Sequence, residues 1–307
     1  MPIQQKTIKV IFYQVSTNIY KKTNTSNESV ICSNESTEFH RVLKCLSTLD
    51  VMSRRWPSTN DYDEIRLQEL EKVTSNHNNY WKMQFIRVRT SDRPKKVDNQ
   101  GEYTEIELND DEYVGEDVTC LYDSVTNVIA IQQNYHSVRA SRIEQYFTDL
   151  YKRQIQDENF ANFAFHPIID SAIEQYDDAI IKSLELTCID LNNADLKSVV
   201  ENKNGFFGAQ KINLKLGLNT RKQKSTLNVK NIFVYIKNCI KNHSMTKIRA
   251  RVKLSPELPV ETVDFLQYRL QIQFKLSFSK DNEITHSRIW GEMISKCPPL
   301  INKISQK

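Results

Sequence analysis

Two stretches, TKIRARVKL (Thr246–Leu254) and LQYRLQIQFKLSF (Leu266–Phe278), decide how this 307-residue chain is read. In the first, Ile248, Ala250, Val252 and Leu254 alternate with Lys247, Arg249, Arg251 and Lys253. In the second, Leu266, Tyr268, Leu270, Ile272, Phe274, Leu276 and Phe278 alternate with Gln267, Arg269, Gln271, Gln273, Lys275 and Ser277. A period of two puts one set on a core and the other in water, the signature of half-buried antiparallel strands. The two stretches are expected to pair as a hairpin, so that Arg269 and Lys275 widen the cationic row Lys247, Arg249, Arg251 and Lys253.

Working outward, Lys211–Leu218 alternates in the same way, and Ser183–Leu191 reads as another strand. Leu227–Ile240 has Val229, Ile232, Phe233, Ile236 and Ile240 at helical spacing. Lys230, Lys237 and Lys241 share a different stripe of that helix. A short helix is expected at Asp195–Asn202. A last helix is expected at Thr285–Lys296, stopped by Pro298 and Pro299.

The first half reads differently. Ile8–Val15 and Trp81–Arg89 are expected strands, Thr37–Leu46 a helix, and Asp63–Val73 a second short helix. Lys21–Ser36 is polar and reads as a mobile loop, and Arg54–Pro57 as a turn. Val118–Asp123 and Val128–Gln132 form a hairpin through Ser124–Asn127. The helix after it opens on a capping box of Ser141 and Glu144, with Ile143, Tyr146, Phe147, Leu150 and Tyr151 inward. The expected class is α+β: two domains, 1–156 and 163–307, each a mainly antiparallel sheet with helices on one face.

Charge separates the halves. From Asn202 to Pro256 there is no Asp or Glu among 55 residues, which hold 13 Lys and Arg. From Val97 to Val138 there is no Lys or Arg, and there are ten carboxylates. The net charge of +4 conceals this. Such asymmetry points to a polyanion, most often nucleic acid. The expected contacts are Lys247, Arg249, Arg251, Lys253, Arg269, Lys275, Lys230, Lys237, Lys241 and an arm of Arg221, Lys222 and Lys224. They would hold phosphates, which give affinity but little sequence information. With about four to six phosphates neutralised, log K should fall with log salt at a slope of roughly −4 to −5. The plainer alternative is a solvated strand face whose lysines guard a sheet edge. The acidic stretch reads as a solvated loop or as a competitor for the basic surface.

No cofactor or metal is expected. Six Gly and no G-x-G-x-x-G or G-x-x-x-x-G-K-[ST] leave no phosphate-cradling loop. The six cysteines form no C-x-x-C pair and read as reduced thiols of a cytoplasmic protein. Asp110, Asp111 and Glu112 lack the spacing and Gly of a calcium loop. The six histidines show no H-E-x-x-H, and His136 reads as part of a polar corner. A nuclease needs paired carboxylates near a lysine. Asp178 with Asp195 and Lys197 comes nearest, but Asp195 suits the first turn of a helix. No apolar run approaches the roughly 20 residues of a membrane helix.

LYDSVTNVIAIQQNYHSVRASRIEQYF (Leu121–Phe147) resembles the phage-exclusion family of lambda RexA and antiphage families such as the Kiwa component KwaB. The shared layout is a strand, an acidic turn, an apolar strand, a loop and an amphipathic helix, then a larger basic domain. The resemblance implies a cytoplasmic, two-domain DNA-binding protein of phage defence and allows a homodimer. The expected function is thus non-enzymatic, largely sequence-nonspecific binding of nucleic acid, duplex DNA first. The alternative is a component of a defence complex whose basic sheet docks an acidic partner protein.

Overall fold

The structure, a computed structural model, describes residues 4–21, 29–33, 37–57, 63–75, 78–89, 94–97, 100–109, 112–154, 159–188, 212–217, 229–241, 245–255, 257–279 and 282–305. The chain divides into two compact units, Met1–Phe165 with Gln271–Lys307, and His166–Leu270. The expected continuous second domain ending at 307 is therefore shortened, because the last segment returns to the first unit.

In the first unit, β1 (Gln4–Lys21), β2 (Ser29–Ser33), β3 (Arg55–Trp56), β4 (Glu64–Ser75), β5 (Asn78–Arg89), β8 (Val114–Asp123), β9 (Val128–Gln132), β10 (Asn159–Pro167) and β15 (Gln271–Phe278) build one nine-stranded sheet. Its path is β10-β1-β9-β8-β5-β4-β3, with β2 and β15 also on β1. A separate hairpin joins β6 (Lys95–Val97) to β7 (Tyr103–Glu105). The β8–β9 turn closes on Asn127, which takes the left-handed φ of 59° that Asn tolerates better than most residues. Its Nδ2 donates to Val15 O at 2.8 Å, and its Oδ1 accepts from the Tyr122 hydroxyl at 2.7 Å.

Helices α1 (Thr37–Ser47) and α2 (Ala140–Gln154) cover one face. Phe39 is fully buried and meets Tyr122, Phe147, Phe163 and Phe165 edge-on at 4.8–5.8 Å. Each such pair adds about 0.5–1.5 kcal/mol beyond its buried area. α4 (His286–Ser305) covers the other face of β8, where neighbouring side chains point oppositely. There His286 Nδ1 lies 2.7 Å from Thr119 Oγ1, and Nε2 lies 3.2 Å from Glu69 Oε2, off the line of a hydrogen bond.

The expected loop 21–36 carries strand β2, and the expected turn 54–57 carries strand β3, because both segments pair with neighbouring strands. Three further expected elements of the first unit change. Asp63–Val73 is strand β4, because a bulge between Leu67 and Glu69 shifts its alternation. The resulting three-residue step from Leu67 to Leu70 imitates a helix. Ser141 and Glu144 form no capping box: α2 already begins at Ala140, and the Glu144 carboxylate accepts Phe165 N–H at 2.7 Å. The last helix runs through Pro298 and Pro299 to Ser305. Proline costs a helix interior about 3 kcal/mol, which buried Cys297, Pro298 and Ile301 offset by packing.

The second unit is a four-stranded antiparallel sheet, β12 (Ile212–Gly217), β11 (Ile180–Cys188), β13 (Met245–Lys253), β14 (Glu261–Asp264), in that spatial order. α3 (Val229–Lys241) packs Phe233, Ile236 and Ile240 against the apolar side, with Leu184, Leu186, Ile248, Ala250 and Val252. Each fully buried aliphatic or aromatic side chain contributes about 1.5–3 kcal/mol. The helix expected at Asp195–Asn202 and the arm at 219–226 lie outside the described residues.

Candidate nucleic-acid interface

The outward face of the second unit's sheet follows from register. Across it, Lys215 of β12 opposes Glu185 of β11, Glu185 opposes Arg249 of β13, and Arg249 opposes Asp264 of β14. This rung alternates plus, minus, plus, minus. On one side lies the rung Asn213, Thr187, Lys247, and on the other Gly217, Ser183, Arg251, Thr262. Neighbouring rungs are about 7 Å apart and neighbouring strands about 4.8 Å.

The cations here differ in how far they are already neutralised. Lys247 Nζ sits 2.8 Å from Glu185 Oε1, and Arg249 Nε sits 3.3 Å from Asp264 Oδ2. The Lys247 hydrogen bond, with the nearby charges of Lys215 and Arg249, holds the Glu185 carboxyl below its ordinary range. Arg251 is exposed, and its cross-strand neighbours are Ser183 and Thr262, hydroxyls that neutralise nothing. Gly217 at the end of that rung adds no side chain above it. Arg251, Ser183 and Thr262 thus offer a phosphate one charge and two hydroxyl donors on a flat surface.

The expected hairpin of 246–254 with 266–278 does not form. Asp264 accepts the Leu266 N–H at 3.2 Å and turns the chain into a short 3₁₀ segment, Phe265–Tyr268, with Phe265 fully buried. β14 pairs with β13 instead, and β15 pairs with β1, where Lys275 opposes Thr7. Lys275 is therefore part of the first unit's sheet. Arg269 leaves the row too: its Nε donates to Ile240 O at 3.0 Å, satisfying a carbonyl at the end of α3. Lys237 pairs with Asp177 at 2.9 Å and lies 4.8 Å over the Phe233 ring. Lys241 is exposed at the helix end, and Lys253 closes β13 half-buried. The Lys230 side chain and Arg221, Lys222 and Lys224 lie outside the described residues.

Sequence reading placed the row on β13 but missed Lys215, Ser183 and Thr262, and it missed the acids Glu185 and Asp264. Alternation had already put Lys215 outward; only strand pairing brings it beside Glu185.

Acid residues of the first unit are partly tied down. Arg89 holds Glu116 at 3.0 Å, Gln84 bonds Asp117 at 3.2 Å, and Glu112 accepts Asn109 N–H at 3.0 Å. Asp110, Asp111, Asp195 and Lys197 lie outside the described residues. Among the described residues, no group of three or more His, Cys, Asp or Glu is placed to hold a metal ion. No described helix is long and apolar enough to cross a membrane.

The model of a family of unknown function, DUF6731, matches residues 3–300. The chain belongs to DUF6731. The matched span takes in both units, so this DUF6731 chain carries the four-stranded sheet within the family's own length. No curated protein matches it.

Proposed function

We propose that this DUF6731 chain is a non-enzymatic, largely sequence-nonspecific nucleic-acid-binding protein that holds the phosphate backbone of duplex DNA on the outward face of its four-stranded sheet. One observation carries the reading: Arg251 stands exposed between two hydroxyl side chains, with Lys215 and Arg249 on the next rung and Lys247 on the rung beyond. Such contacts position a backbone without reading bases. Among the described residues no helix lies on this face, so base recognition has no evident reader there. The resemblance to phage-exclusion proteins makes defence in the cytoplasm the natural setting.

Glu185 and Asp264 lower the expected strength. They leave about three phosphates to neutralise, so the slope of log K against log salt becomes about −3. The test is fluorescence anisotropy with labelled duplex across a salt series. Arg251→Glu should weaken binding by about tenfold at low salt, or about 1.4 kcal/mol. Arg249→Glu should weaken it less, because two carboxylates already flank that position. Equal binding by parent and Arg251→Glu would leave this face a solvated surface. The alternating rung Lys215, Glu185, Arg249, Asp264 favours a second reading, a partner protein with complementary alternating charge. A slope shallower than about −1.5 on duplex would put that reading first.

A further inference from the structure

We propose that Arg54 and Arg153 hold a small phosphate group, in a site of the first unit that the sheet-face reading does not use. Arg54 is only 8% exposed, yet its Nε has no hydrogen-bond partner. Among the described residues no carboxylate forms an ion pair with it, because the acids near it along the chain are committed elsewhere. Asp50 accepts Ser53 N–H at 2.8 Å and the Ser53 hydroxyl at 2.9 Å. Asp63 pairs with Arg87 at 2.7 Å. Glu64 holds Arg55 and Arg66, on the strand face opposite to the core-facing pair Trp56 and Ile65. A buried guanidinium without a counter-charge is costly. Its backbone, by contrast, is pinned. Arg54 N–H donates to Asp50 O and Val51 O at 3.2 Å each, and Arg54 O accepts the hydroxyl of fully buried Tyr146. The residue is held in place while its charge stays unanswered.

A second cation bears on the same point. Burial pushes the Tyr146 hydroxyl up, and the charges of Arg54 and Arg153 both draw it back down. Arg153 is exposed in the last turn of α2. Among the described residues it forms no ion pair, not even with Asp149 one turn before it. Water could accept from the Arg54 Nε–H, but it brings no charge to offset the guanidinium. The free Nε edge of a guanidinium suits two oxygens of one oxyanion. A carboxylate would fill that edge and answer one cation. A phosphate fills it and keeps an oxygen and a second charge for Arg153. With so little of Arg54 exposed, the phosphates of a duplex backbone cannot reach it. Only a small ion or the terminal phosphate of a monoester can, so this site is independent of the one proposed for duplex DNA.

The experiment is calorimetric titration of the full-length chain with inorganic phosphate at constant ionic strength in chloride. Adenosine monophosphate serves as a phosphate monoester and acetate as a carboxylate. The parent should take up inorganic phosphate saturably. Arg54→Met should abolish that uptake and keep the fold, since it removes an unpaired buried charge. Arg153→Ser, a surface change, should weaken binding by about tenfold, the worth of one charge-assisted hydrogen bond. Arg251→Glu should titrate like the parent, which separates this site from the sheet face. Monophosphate bound more tightly than inorganic phosphate, and lost with Arg54→Met, would name a monoester as the ligand. The reverse order would name the free ion. Acetate bound as tightly as phosphate would make this a carboxylate site and overturn the proposal. No uptake by the parent up to roughly 10 mM phosphate would overturn it too, as would equal uptake by the parent and Arg54→Met. If Arg54→Met does not fold, Arg153→Ser decides, and parent-like affinity in that variant overturns the proposal.

Discussion

Glu185 is the residue whose removal gives the cleanest signal, because it improves rather than impairs. It lies opposite both Lys215 and Arg249 and binds Lys247. Glu185→Gln keeps the side chain's shape and removes the charge, leaving three cations without their shared carboxylate. Duplex affinity should rise by up to about fivefold at low salt, the worth of one exposed ion contact. The gain should vanish at high salt, where such contacts are screened. Unchanged affinity at low salt would mean phosphates do not reach this rung. Asp264 is a poorer choice for the test, since it also caps the turn at Leu266. Legibility at this scale was uneven. The outward parity of Lys247, Arg249, Arg251 and Lys253 was plain from alternation. Their neutralisation was not, because Glu185 lies 62 positions before Lys247 and only strand register joins them.

Elements show why the rest was hard to read. α1, α2, α3 and the β8–β9 hairpin each carry one uninterrupted period, and each stands where the sequence places it. β4 and the 266–278 segment do not, since a bulge and a capped turn interrupt a pattern that looks continuous. In 266–278 the apolar side chains serve two cores: Leu266 and Tyr268 pack in the second unit, while Phe274 and Leu276 are buried on β15. α2 carries an element-scale device as well. Glu144 and Thr148, one turn apart, accept the N–H groups of Phe165 and Phe163. They satisfy backbone donors of β10, at the end of the sheet path, that would otherwise lie open. Burial raises the Glu144 carboxyl to about 7, against the opposing pull of the Phe165 N–H. A carboxyl raised in the folded state is held protonated there. Its stabilising contribution is present below the ordinary carboxylate value and is lost as pH rises through about 7. The amount is on the order of 1–3 kcal/mol. Gln keeps an acceptor for Phe165 N–H and cannot ionise. Urea melts at pH 5 and pH 8.5 should therefore show Glu144→Gln equal to the parent at pH 5 and more stable at pH 8.5. His40 and His166, lowered by burial, push stability the other way with pH, so the difference between variant and parent is the informative quantity. No difference at pH 8.5 would place Glu144 in water.

At the scale of the whole molecule, the second unit is an insertion. β9 and β15 both pair with Val10 and Ile11, so they lie on opposite edges of β1, and β10 lies across β1 from β9. β10 and β15 therefore share one edge, and the chain leaves that edge at 165 and rejoins it at 271. Inside the second unit its two ends are stitched together. Leu270 N–H donates to Ile168 O at 2.7 Å, Asp170 N–H to Tyr268 O at 2.8 Å, and Ile169 bridges Arg269. A unit with its own core and adjoining ends has what independent folding requires. Composition revealed the basic half but placed its end at 307, because nothing local marks the return of 271–278 to β1. A fragment spanning 166–270 should fold alone, with the far-ultraviolet signal of an α+β protein and a cooperative melt. It should bind duplex with the full chain's slope of about −3, since each phosphate contact contributes about 0.9 to that slope and all the contacts named here lie within the fragment. A folded fragment with a slope nearer −1 would assign two of the three contacts to the first unit. A fragment that melts without cooperativity would show that its core of Phe233, Ile236, Ile248 and Phe265 does not hold without β1 and its partners.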